Sequence, residues 1–98
     1  MGTHKSTPIN LQRCTERVRE IIGTLPKQYT SSRVVGPCKK AHLVDARQYI
    51  AHILVKEGFS VNVIGKVMER DHTSILHLLR REYAFDFFKK KHEETHEA

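Results

Sequence analysis

Residues Arg70 to Tyr83 constrain the fold of this chain more than any other stretch, because at helical spacing they have two unlike faces. At about 100° per residue, Leu76, Leu78, Leu79 and Tyr83 fall within roughly 100° of Ile75. Thr73, Ser74, His77, Arg80 and Arg81 collect in an arc of roughly 120° on the other side. One face therefore belongs to a core. The other carries hydroxyl, imidazole and guanidinium groups, with Arg70 and Asp71 where the helix begins. A solvated face ordinarily mixes Glu with Lys, yet no acidic residue lies between Thr73 and Arg81. These are also the groups that match base edges: guanidinium to guanine, carboxylate to the cytosine amino group, Thr methyl to the thymine methyl.

At 98 residues the chain is one domain, near the small end of what a single core holds together. Its net charge of +6 is unevenly spread. Between Arg33 and Arg81 nine Lys/Arg stand against four Asp/Glu, while from Glu82 onward three stand against five. A basic centre with an acidic end suits a nucleic-acid-binding core. No apolar run approaches a membrane span, and Cys14 and Cys38 form no CxxC, so the chain reads as a cytoplasmic protein with reduced thiols. Met1 to Ser6 fits the myristoylation pattern, which is too short and degenerate to carry an assignment.

The spacing predicts an all-α domain of four to five helices over residues 9–88, between a tail at 1–8 and a charged tail at 89–98 that frays. The first helix starts with Thr7 as N-cap and Pro8 at its first position, and buries Leu11, Cys14, Val18, Ile21, Ile22 and Leu25. Thr24 to His42 reads as an irregular basic segment broken by Pro26, Gly36 and Pro37. A second helix runs from about Leu43 to Glu57 with Ala46, Ile50, Ile53 and Leu54 inward, and Gly58 ends it. Ser60 caps a short third helix burying Ile64, Val67 and Met68. Glu69 and Arg70 turn the chain, and Asp71 caps the two-faced helix. Such a pair of helices is the pattern of a helix-turn-helix. Gly65 inside the short helix costs about 1 kcal/mol relative to Ala, which predicts close approach of another helix there.

Arg70-Asp71-His72-Thr73-Ser74-Ile75-Leu76-His77 resembles the Arg-Asp-His-Thr-Thr-Val-Leu-His signature of the C-terminal DNA-binding domain of DnaA, the bacterial replication initiator. Ile64-Gly65, Arg47-Gln48 and the basic loop with Lys39 and Lys40 are similar to that family's pattern. The resemblance implies a Trp-repressor-like all-α fold and double-stranded DNA as ligand. It implies that Arg70, Asp71, His72, Thr73 and His77 face major-groove bases, with Ser74 where the family has Thr. Lys39 reaches toward the minor groove beside Lys40, while Arg47, Gln48 and Arg80 hold phosphates. Ser60 and Asn62 join Arg81 among the DNA-facing residues, Asn62 standing where the initiator usually has proline. The turn after Gly65 is one residue shorter than the initiator's. These differences bear on which bases are read and leave DNA binding as the implied activity. No P-loop is present, so the expected role is a transcriptional or replication regulator that is not an ATPase or other enzyme and uses no cofactor.

Two other patterns compete. His92-Glu93-Glu94-Thr95-His96 satisfies His-Glu-x-x-His, in which two imidazoles bind zinc and the Glu acts as general base. A catalytic zinc needs a third protein ligand and a shielded cleft, and neither is visible in the sequence, so no metal site is expected. Phe85, Phe87 and Phe88 offer a patch for a protein partner or a homo-oligomer, with Phe85 and Phe88 on one face of a helix continued from Tyr83. Packing against the first helix is the plainer expectation for them.

Overall fold

The computed structural model describes residues 3–96, with side chains described from Asn10 onward. α3, Ala41–Lys56, is the element that all the others meet. Leu43, Ala46, Ile50, Ala51, Ile53 and Leu54 are buried on it, and so are the polar Asp45, Arg47 and Gln48. A helix buried on nearly every side lies at the centre of a domain. Five helices surround it: α1 Thr3–Gly23, α2 Ser31–Val35, α4 Val61–Val67, α5 His72–Arg80 and α6 Asp86–His96. Among the described residues there is no strand, so the fold is all-α.

α1 packs on α3 and α4 along the predicted stripe, with Cys14, Val18, Ile21 and Ile22 buried and Leu25 buried just past its end. Burial pushes the Cys14 thiol up to about 11, as befits an inert core residue. The helix is already formed at Thr3, four residues ahead of the expected Thr7 cap, so it takes in most of the predicted 1–8 tail. Gly2 of the myristoylation pattern lies outside the described residues. α3 begins at Ala41, two residues before the expected Leu43. Gly58, at φ +99°, makes the left-handed turn out of α3. Ser60 Oγ accepts from the Val63 amide at 3.2 Å, as the spacing predicts for the cap of α4.

The expected irregular stretch and the expected charged tail each contain a helix. α2 lies within Thr24–His42, with the Thr30 hydroxyl accepting from the Arg33 amide at 3.3 Å and Val34 fully buried. Five residues are too few for periodicity to register. The C-terminal segment is helical from Asp86 to His96 and packs on α3. It does not continue α5, because Arg81 is extended at φ −78°, ψ 160° and ends that helix. Phe88 is buried edge-on to Tyr29 (5.4 Å between ring centres) and beside Tyr49 (6.0 Å), so its aromatic partners come from the α1–α2 loop and α3. Phe85 and Phe87 are exposed.

Candidate nucleic-acid interface

α5 is held by Ile75 and Leu78, both buried, and half-buried Leu76 and Leu79 beside them. Its other face bears His72, Thr73, Ser74, His77 and Arg80, all exposed. None of these side chains hydrogen-bonds to a described residue, and no carboxylate lies among them. Asp71 adopts the extended N-cap backbone (φ −66°, ψ 151°) without a side-chain cap bond, and its exposed carboxylate makes no hydrogen bond or ion pair with a described residue. The helix N-terminus thus carries free N–H groups beside a free carboxylate and an imidazole. This surface can hydrogen-bond as both donor and acceptor.

The turn into α5 is built on two unusual backbone positions. Glu69 is left-handed at φ +58°, and the Arg70 amide donates to the Gly65 carbonyl at 2.7 Å. A Cβ on Gly65 would lie 2.6 Å from the Arg70 carbonyl oxygen. The close approach expected at Gly65 is therefore real, and the neighbour is the backbone leading into the next helix. On α4, Asn62 and Lys66 are exposed one helical turn apart and so share a face, and Ser60 is exposed at its start. Lys66 is not among the residues expected at the interface, although its four-residue spacing from Asn62 puts it on the same helix face.

Four of the sequence-predicted DNA contacts have other work in the fold. Arg47 is 4% exposed, and its Nε donates to Val34 O (2.5 Å) while Nη2 donates to Gly36 O (2.9 Å) and to Cys38 O. Gln48 is 1% exposed; its amide donates to Arg81 O (2.5 Å) and accepts from Arg81 Nη1 (2.6 Å). Neither can reach a phosphate from there. Both lie on α3, where central position turns nearly every face inward, a fact local spacing does not carry. Arg81 is half-buried and pairs with the fully buried Asp45 at 2.8 Å. Asp45 also accepts from the Ala84 and Phe85 amides, tying down the chain after α5. Arg70 is half-buried, its guanidinium donating to Val35 O, Met68 O and Gly36 O at 2.6–2.8 Å. Lys39 and Lys40 are exposed, as expected, directly after the segment that Arg47 and Arg70 bind.

The His-Glu-x-x-His segment lies on α6, and its third imidazole neighbour comes from α3. His52 sits edge-on to His92 with ring centres 4.5 Å apart, and His92 stacks on His96 at 4.1 Å. Sequence alone offered no third imidazole, because His52 is forty residues away. Stacked planes at 16° do not aim their nitrogens at one point. His92 Nδ1 is engaged with the Tyr83 hydroxyl (2.9 Å) and His96 Nδ1 with His92 O (3.0 Å). Among the described residues no group of three or more His, Cys, Asp or Glu is arranged to hold a metal ion. No described helix is long and apolar enough to cross a membrane.

Compared with protein-family models, curated proteins and solved structures, the chain matches none. The likeness to the initiator's DNA-binding domain therefore rests on the octet from Arg70 to His77 and the positions around it.

Proposed function

We propose that the chain is a double-stranded DNA-binding protein and a regulator of transcription or replication, with no ATPase or other catalytic activity of its own. α4 and α5 act as a helix-turn-helix, with α5 in the major groove, which is about 12 Å wide and admits one helix. Asp71, His72, Thr73, Ser74 and His77 meet base edges. Arg80 and the α4 face bearing Ser60, Asn62 and Lys66 meet the sugar-phosphate backbone. Lys39 and Lys40 reach the backbone and minor groove from the basic segment. The observation that carries this reading is the exposed α5 face, whose polar groups have no hydrogen-bond partner among the described residues and no carboxylate among them from His72 to Arg80. A face kept only for solubility has no need to exclude carboxylates.

If Lys39, Lys40, Lys66 and Arg80 each neutralise one phosphate, log affinity falls with log salt at a slope of about −3.6. Fluorescence anisotropy on a labelled random-sequence duplex across a salt series measures it. A slope near zero, or no binding at low salt, overturns the reading.

A second reading, contact with a protein partner or a second copy through α6, is favoured by Phe85 and Phe87, 47% and 46% exposed. Replacing both by Ala then abolishes association while leaving duplex binding intact.

A further inference from the structure

Arg47 and Arg70 come from different elements, α3 and the α4–α5 turn, and converge on one short piece of backbone. Arg47 donates to the carbonyls of Val34, Gly36 and Cys38; Arg70 donates to those of Val35, Gly36 and Met68. The Gly36 oxygen accepts from both, at 2.9 and 2.6 Å. Among the described residues no carboxylate is bonded to either guanidinium. Burial lowers the pKa of both, and for Arg47, brought down to about 10, the neighbouring Arg70 charge adds to the effect. Both remain cationic at neutral pH.

Placing two like charges side by side is costly, and the carbonyl dipoles, with the exposed Glu69 carboxylate acting on Arg70 without bonding to it, offset only part of that cost. A neutral side-chain amide, with two N–H donors on one nitrogen, could not reach three carbonyls on separate residues. What two planar, forked donors supply is rigidity, because each spans acceptors on separate residues at fixed angles. The segment so gripped, Val34–Cys38, leads directly into Lys39 and Lys40, and Arg70 itself directly precedes Asp71 and α5.

We infer that Arg47 and Arg70 form a lock on the Gly36 carbonyl that fixes Lys39 and Lys40 relative to α5, and that Arg70 is a positioning residue and reads no base. This rests on the DNA-binding reading above and names how its two contact regions are held together. In the free protein the lock pre-orders the basic segment, so that little loop entropy is lost when a duplex binds. Base reading then falls to Asp71, His72, Thr73, Ser74 and His77. The buried Arg47 and half-buried Arg70 add positive potential under the same surface without touching a phosphate.

The test uses the full chain, with and without a duplex. In the free protein, backbone ¹⁵N order parameters of Lys39 and Lys40 are near those of the helices, about 0.85, and in Arg70→Ala they fall below about 0.6. On a random-sequence duplex, Arg70→Ala lowers affinity about tenfold and brings the salt slope about 1.8 closer to zero, as the Lys39→Ala/Lys40→Ala pair does. Combining all three substitutions adds little further, since the lysines no longer act once unlocked. Arg70→Lys keeps the charge but not the fork and does not restore either readout. If Arg70→Ala does not hold its fold, Arg70→Gln, whose single amide nitrogen cannot span the three carbonyls, gives the same measurements. Unchanged order parameters overturn the lock. So does an affinity loss confined to a preferred sequence and additive with the lysine pair, the signature of a base-reading arginine. Failure of the unaltered protein to bind any duplex overturns the DNA-binding reading, while the order parameters still decide the lock.

Discussion

Gly65 sits mid-helix in α4, where Ala is ordinarily better by about 1 kcal/mol. Here the missing Cβ leaves room for the Arg70 carbonyl, which would otherwise lie 2.6 Å away, and the Gly65 carbonyl accepts from the Arg70 amide. Both contacts are backbone, so no side-chain rotation relieves the clash. Gly65→Ala is therefore expected to lose about 1–2 kcal/mol in urea unfolding despite the gain in helix propensity. A higher urea midpoint for that variant would contradict the packing of α4 on the turn. That Gly65 needed a close neighbour was legible from its place in an apolar helical pattern. Which atom came close was not, because it depends on the left-handed Glu69, a residue with no intrinsic preference for that conformation.

At the scale of elements, α6 departs most from expectation. Its composition, rich in Lys, Glu and His, marks a solvated tail, yet specific contacts dock it on α3. Phe88 is 1% exposed, the Tyr49 and Thr95 hydroxyls lie 3.2 Å apart, and Lys56 donates to Thr95 O at 3.0 Å. Truncation after Lys91 leaves Phe88 in place but removes His92, Thr95 and His96 from these contacts. Its expected cost is about 1–2 kcal/mol, or roughly 5–15 °C in thermal midpoint for a chain of this size. Scanning calorimetry of the truncated and full chains measures this, and an unchanged midpoint would return the segment to a solvated end. Polar pairing across 39 and 46 residues leaves no trace in local periodicity, so nothing local marks residues 89–96 as a docked helix.

For the whole molecule, the histidine cluster joining α3 to α6 makes stability depend on pH. Burial lowers the His52 pKa from the ordinary 6.5 to about 4, with further lowering from His92 and His96. The His92 pKa is lowered too, first by burial and then by His96, with Glu93 opposing. Neutral imidazoles are thus favoured in the fold. Their contribution is present above the unfolded value and is lost as pH falls from 6.5 toward 4. The thermal midpoint should fall over that window, with His52→Gln flattening part of the fall, and an NMR titration should place the His52 midpoint near 4. A His52 midpoint at or above 6.5 would show the cluster to be open to water. The all-α class, the core stripes of α1, α3 and α5, the Gly58 and Ser60 boundaries and the polar face of α5 were determined by the sequence itself. They follow from side-chain period and turn chemistry, which act over a few residues. Only the tertiary structure decided that Arg47 and Gln48 lie inside, that Arg70 grips the basic segment, that Asp45 and Arg81 pair, and that three histidines meet. Each depends on which helix is surrounded by the others, and burial of that kind is set by the packing of the whole chain.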